Sequence, residues 1–401
     1  MMRVKWLKKN KRKNILITGL TSLLTDISSE MIYPIIALFL KALGGSPAIL
    51  GIIEGVAEST ASILKVFSGA FADRIGRRKP LAIVGYSFSV IGKILFYFAS
   101  SWSFIFAGRF SDRFGKGVRT APRDTMISES AEGNQQGKAF GLHRTMDTMG
   151  AVIGTFITFF FLFRIQEAAS QSGNLAFYIP TFRLIILLSL IPAVLGVFVL
   201  FFTIETGTGK KSTHFALSWS SLLKLDHKLK VFLLATFLFT LGNSSDQFIL
   251  LRASEPDLGY SAAQVILLYL LYNIVYMVIS YPAGWLSDKI GRKWILVVGF
   301  LLYSITYYVI GIAPSFIIPA MILYGFYIGM TEGNAKALVS ELSPASRRAT
   351  IIGLHATLLG IGLFPASLIG GLLWSTFGPS ATFLFGGSMT FVSALILILL
   401  L

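Results

Sequence analysis

The segment GRFSDRFGKGVRTAPRD, residues 108–124, carries Arg109, Asp112, Arg113, Lys116, Arg119, Arg123 and Asp124. At about 100° per helical residue, Arg109, Arg113, Lys116 and Arg123 fall within roughly 40° of one line. Arg119, Asp112 and Asp124 flank that line. Such a stripe could hold an anionic or zwitterionic solute, or set the charge of carboxylates facing it. Candidate carboxylates stand elsewhere in the chain. Asp26 and Glu30 are one helical turn apart, as are Glu332 and Lys336. Glu54, Glu58 and Lys65 share a stripe, His143 and Asp147 share a face with Arg144 to its side, and the seventh apolar stretch offers Asp246. A carboxylate near other charges has a tunable proton affinity, so it could take up and release a proton in a cycle. His143 and His355 could relay protons near neutral pH or serve as packing residues. Any of these charges could equally form a structural ion pair.

The surroundings of these charges are apolar. The chain has 401 residues, 54% hydrophobic and 13% charged, where soluble proteins carry about 25% charge. Its net charge of +16 does not mark a nucleic-acid binder, because the basic residues sit in short links between apolar runs. With no cysteine, disulfides, thiolate metal sites and thiol catalysis are excluded. The first apolar run follows Arg3, Lys5, Lys8, Lys9, Lys11, Arg12 and Lys13. It is longer than a signal-peptide core of about 7–15 residues, so it is expected to remain as a spanning helix.

Spanning helices need about 20 mostly apolar residues. Twelve stretches qualify: 14–42, 48–72, 80–100, 103–130, 138–163, 182–203, 229–252, 261–287, 294–313, 316–342, 349–377 and 380–401. The links DRIGRRKP, GNQQGK, GKK…KLDHKLK, SDKIGRK and PASRR are basic, and the alternate links are nearly uncharged. The excess of Lys and Arg on one side puts those links and both termini in the cytoplasm. The expected fold is an all-α membrane protein of twelve transmembrane helices in two pseudo-symmetric six-helix bundles. Residues 1–203 form the first bundle, 204–228 a cytoplasmic linker and 229–401 the second bundle. Phe215, Trp219, Leu222 and Leu223 share one face, which fits either a helix on the membrane surface or a flexible link.

The halves repeat. GAFADRIGRR at 69–78 returns as GWLSDKIGRK at 284–293, with five identical positions and two Arg-to-Lys exchanges. SSE at 28–30 matches SSD at 244–246, and Ser128, Glu129, Gly141, Leu142, His143 match Ser340, Glu341, Gly353, Leu354, His355 at one constant offset. Three matches in one order indicate duplication, as in transporter folds.

Gly69, Asp73, Arg74, Gly76, Arg77 and Arg78 resemble the loop signature G-x-x-x-D-R-x-G-R-R of the major facilitator superfamily. Gly284, Asp288, Gly291 and Arg292 are the weaker copy. With twelve spans, the resemblance covers essentially the whole chain. It implies that both loops latch one conformational state. Arg109 resembles the arginine that the superfamily's exporters often carry in the fourth helix. Gly141, Gly150 and Gly154 resemble the start of the antiporter motif in the fifth helix, with Thr155 where the motif has Pro, and they would permit close helix packing.

The resulting expectation is a secondary active transporter moving a small solute by alternating access, most directly by proton-coupled efflux. Asp26, Glu30, Asp246 and Arg109 are the expected proton-coupling residues. Arg113, Lys116, His143, Asp147, Glu332, Lys336 and His355 are expected to line the substrate cavity. Two alternatives stay open. One is a divalent-metal exporter resembling ferroportin, with Asp26, Glu30, Asp246 and His355 as ligands. The other is a proton-coupled uptake symporter for an organic anion. No phosphate loop, metal-spaced histidine cluster or nucleophile constellation points to an enzyme. No cofactor, resident metal or nucleic acid is expected. The expected setting is the lipid bilayer of the inner (plasma) membrane, with the protein acting as a monomer.

Overall fold

The computed structural model describes residues 2–130, 136–165, 175–205, 226–343 and 348–401. Among these residues there is no strand. The helices are α1 (Met2–Ile32), α2 (Ile36–Ala42), α3 (Pro47–Ile75), α4 (Lys79–Tyr97), α5 (Trp102–Ser130), α6 (Gln136–Arg164) and α7 (Ile179–Leu200). They continue with α8 (His227–Gly242), α9 (Gln247–Ala253), α10 (Ala262–Ile290), α11 (Arg292–Ile312), α12 (Ile317–Leu342), α13 (Arg348–Phe377) and α14 (Pro379–Leu400).

Every predicted span falls on one of these helices or on a broken pair. The first span is α1 and α2, separated by a 3-10 turn over Tyr33–Ile35. Pro34 sits in that turn and has no N–H to continue the α-helical ladder. The seventh span is α8 and α9, separated by Asn243, Ser244, Ser245 and Asp246. Backbone carbonyls released inside a membrane need new partners. The Tyr303 hydroxyl donates to the Gly242 carbonyl at 3.0 Å, and the Ser244 hydroxyl lies 3.2 Å from that of Tyr307.

Nine helical stretches among the described residues are long and apolar enough to cross a membrane. α3, α5 and the broken α8–α9 pair are outside that set; α5 is rich in charges, and the break leaves α8 and α9 short. The predicted surface helix of the linker and the first half of GNQQGK lie outside the described residues.

The chain divides into two compact units. One comprises residues 1–44 and 60–215, the other residues 45–59 and 216–401. The division passes through α3 as well as the linker. Residues 47–59 of α3 pack on α13: the Ser59 hydroxyl donates to the Gly360 carbonyl at 2.6 Å, and a Cβ on Gly51 would stand 3.2 Å from the Gly371 Cα. In the first unit, α1 packs on α6 and α7, and α4 packs on α5 and α7. In the second, α10 packs on α12, and α11 packs on α12 and α14. The outward surface is apolar. Phe156, Phe160 and Phe163 of α6 and Ile191, Val194 and Phe198 of α7 are exposed, a pattern that lipid covers and water would not.

Candidate functional site

The charges of α5 are buried against α4. Gly92 and Gly108 face each other, and a Cβ on Gly92 would stand 2.6 Å from the Gly108 carbonyl oxygen. That close approach brings Lys93, only 2% exposed, to 3.7 Å from Asp112 Oδ1. Arg113 Nε lies 3.8 Å from Asp112 Oδ2. Arg119 and Arg109 are also among the cations acting on this carboxylate. Arg119 donates to Ser89 and lies 4.6 Å from the Tyr86 ring centroid. Arg109 and Arg113 lie 4.7 and 5.6 Å from the Tyr33 ring centroid, close enough for cation–π attraction. Burial of so many cations is affordable only with carboxylate and π-face partners at hand. Lys116, on the same predicted stripe, is exposed.

A second group forms where α1 meets α6. A Cβ on Gly150 would stand 2.5 Å from the Leu23 carbonyl oxygen and 3.1 Å from the Asp26 Cβ. Gly154 sits equally tight against Ile27. This contact puts the carboxyls of Asp26 and Asp147 in hydrogen-bond reach of each other. Lys116 and Glu30 act on Asp26, while Arg123, His143 and Arg144 act on Asp147. Arg144 Nη1 is 4.0 Å from Asp147 Oδ2. His143 Nε2 is 2.7 Å from the Ser22 hydroxyl, which also accepts from Arg123 at 3.3 Å and lies 3.4 Å from the Tyr86 hydroxyl. Arg123 pairs with Asp124 at 2.9 Å.

In the other unit, Asp246 stands at the break between α8 and α9. It accepts from Tyr272 at 3.0 Å and from Tyr324. Glu58 and Glu54 are charges that act on it, and Glu54 accepts from Ser245 at 3.0 Å. Glu332 accepts from Tyr276 at 2.6 Å and pairs with Lys336 at 3.8 Å. His355 stacks on Phe232 at 5.9 Å, and its Nε2 has no hydrogen-bond partner. Thus Asp26 and Asp246, grouped by sequence reasoning, belong to separate units. Among the described residues, no group of three His, Asp or Glu could hold a metal ion.

Both signature turns are held by an arginine and a glutamate from the fourth helix of their half. Arg78 Nη2 lies 2.9 Å from Glu129, and Arg292 Nη1 lies 2.8 Å from Glu341. Gly76 and Gly291 turn the chain with φ of +69° and +94°, values that suit glycine. Arg74 and Arg77 are exposed. Gly69 abuts Ala121, while a Cβ on Gly284 would meet nothing within 4 Å. The Asp73 side chain lies outside the described residues, Gly141 falls in the first part of α6, and Asp288 pairs with Arg292 at 3.3 Å.

Sequence reasoning missed Lys93, Ser22, Tyr33 and the Tyr272–Tyr324 pair. Lys93 had a visible signal, a single cation inside the apolar stretch 80–100. The hydroxyls had none, because tyrosine and serine are common in apolar helices.

A sequence model of the Major Facilitator Superfamily matches residues 18–252 and 232–401. An MFS-type transporter of Methanocaldococcus jannaschii is 37% identical over 396 residues, covering 96% of this chain and 94% of that protein. The quinolone resistance protein NorA of Staphylococcus aureus is 25% identical over 147 residues, 35% of this chain and 38% of that one. Among solved structures, the nucleoside transporter NupG superimposes with a TM-score of 0.77 at 12% identity, over 96% of this chain and 99% of that one. The D-xylose-proton symporter gives 0.75 at 15% identity, over 96% and 97%. At such identities these two similarities carry the fold alone.

Proposed function

The chain belongs to the major facilitator superfamily and is a multi-pass membrane transporter; from that premise we propose that it exports a small organic solute in exchange for protons. The observation that carries this reading is the contact between Asp26 and Asp147. A hydrogen bond between two carboxyl groups uses one proton. The pair lies among Lys116, Arg123 and His143, so gain or loss of that proton changes what the neighbouring cations can hold. Protonation that weakens solute binding biases the conformational equilibrium, because a ligand shifts an equilibrium only through differential affinity.

In this reading twelve helices cross the plasma membrane, both termini are cytoplasmic and the monomer is sufficient. Arg109 sets the charge balance around the site, and the turns at Arg78 and Arg292 favour one state of the alternating-access cycle. The similarity to NorA is consistent with efflux.

Reconstituted vesicles with an imposed pH gradient test the proposal. Solute accumulation against an acidic interior supports antiport. Accumulation driven by protons moving in the same direction as the solute establishes symport instead. A solute screen on the purified chain, read as a rise in melting temperature, precedes that assay. Divalent metals belong in the same screen, because stabilisation by them alone would favour the metal-export reading.

A further inference from the structure

The turn between α10 and α11 divides its cations between two directions. Arg292 reaches the acids: Glu341 at 2.8 Å, Asp288 at 3.3 Å and the Ala337 carbonyl at 3.3 Å. Lys289 and Lys293 do not share these partners. Lys289 Nζ stands 3.6 Å from the Trp285 ring centroid. Lys293 Nζ stands 5.0 Å from that of Trp294 and 3.3 Å from the Ile398 carbonyl. Among the described residues, neither lysine has a carboxylate within ion-pair distance. Both tryptophans are about half exposed, at 56% and 49%, beside the exposed Tyr281 and Ile290. Exposed indoles with neighbouring lysines belong at the depth of lipid headgroups.

The duplicated first half shows a different arrangement. Ala70 and Lys79 occupy the places of Trp285 and Trp294. There Lys79 Nζ donates to the Phe201 and Thr203 carbonyls at 2.7 and 2.8 Å, and Arg78 pairs with Glu129. Glu205 accepts from the backbone N–H groups of Arg78 and Lys79 at 3.0 and 3.1 Å. Protein groups therefore engage the first turn. The second turn leaves two ammonium groups beside exposed indoles, on residues four apart whose Cα atoms are no more than about 14 Å from each other.

We infer that the α10–α11 turn binds the headgroup phosphate of an anionic phospholipid of the cytoplasmic leaflet. Lys289 and Lys293 hold the phosphate, and Trp285 and Trp294 flank the glycerol and upper acyl region. The inference rests on the reading of the basic side as cytoplasmic, but not on the direction or coupling of transport.

The test uses the full chain purified in mild detergent, titrated with phosphatidylglycerol or phosphatidylcholine and read by native mass spectrometry. Binding of phosphatidylglycerol is expected to be about thirtyfold tighter than that of phosphatidylcholine, the effect of two surface lysines on an anionic lipid. Lys289→Gln/Lys293→Gln should bring the two lipids to near equality, and Lys289→Arg/Lys293→Arg should retain the preference. Lys228→Gln/Lys230→Gln, which removes the same charge elsewhere, should leave it intact. An unchanged preference in the first variant, or an equal loss in the last, overturns the site. Competition by millimolar inorganic phosphate as effective as the lipid would reassign it to a free anion. Because no step requires turnover, failure here is distinguishable from failure of the transport reading.

Discussion

Arg78 and Glu129 lie 2.9 Å apart, joining the turn after α3 to the end of α5. Arg292 and Glu341 repeat the connection in the second half, 2.8 Å apart. The two pairs differ in burial. The side chains of Arg78 and Glu129 are 10% and 30% exposed, those of Arg292 and Glu341 29% and 58%. A double-mutant cycle on thermal unfolding should therefore give a larger coupling for the first pair, about 1–2 kcal/mol, than for the second, below about 1 kcal/mol. Equal couplings would mean that burial does not set their strength.

Asp112 is the carboxylate on which Lys93, Arg113, Arg119 and Arg109 act. Removing it takes away the carboxylate that these buried cations share, whereas removing Lys93 leaves a carboxylate with three cations. Asp112→Ala should cost about 3–5 kcal/mol or prevent folding, and Lys93→Met should cost distinctly less. Yield of monodisperse protein and melting temperature decide the order. The reverse order would contradict this account of the cluster.

Gly150 and Gly154 touch backbone on α1, which cannot rotate out of the way. Gly150→Ala should cost about 1–3 kcal/mol through overpacking. Gly284→Ala, in open space, should be neutral or slightly stabilising. Melting temperatures of the two variants provide the comparison.

Asp26→Asn and Asp147→Asn should each abolish proton-driven transport while leaving the chain folded, because each removes one partner of the carboxyl pair. Arg109→Ala should also abolish coupling. Proton-driven transport retained in all three variants would remove these residues from the mechanism.

Asp257 lies outside the spans and accepts bonds of 2.7 and 2.6 Å from Arg252. Those bonds hold its carboxyl below the ordinary value of 3.8. A depressed folded value stabilises the protein above the unfolded value, and that contribution is lost as pH falls through the folded one. The carboxylate is 57% exposed, so solvent screening limits the contribution to below about 1 kcal/mol. The melting-temperature gap between the natural chain and Asp257→Asn should be constant from about pH 7 to 5 and close below about pH 4. A gap that does not narrow at all between about pH 4 and pH 2 would show that the pair contributes nothing through ionisation.

The apolar spans, the duplication and the two signature turns were legible because each depends on local order along the chain. A membrane helix announces itself by length and hydropathy, and a duplicated turn by repeated residues such as Asp288, Gly291 and Arg292. Helical periodicity also placed Arg109 and Arg113 on one face of α5. It could not say what faces them, since a period fixes direction around an axis and not the identity of the neighbouring helix. Tertiary structure decided that Lys93 meets Asp112 through the Gly92–Gly108 contact, and that Asp26 meets Asp147 beside Gly150. It also decided that residues 45–59 join the second unit. The physical reason is common to all three: interhelical distance is set by the small residues of two segments remote in sequence, and only their packing brings the charges together.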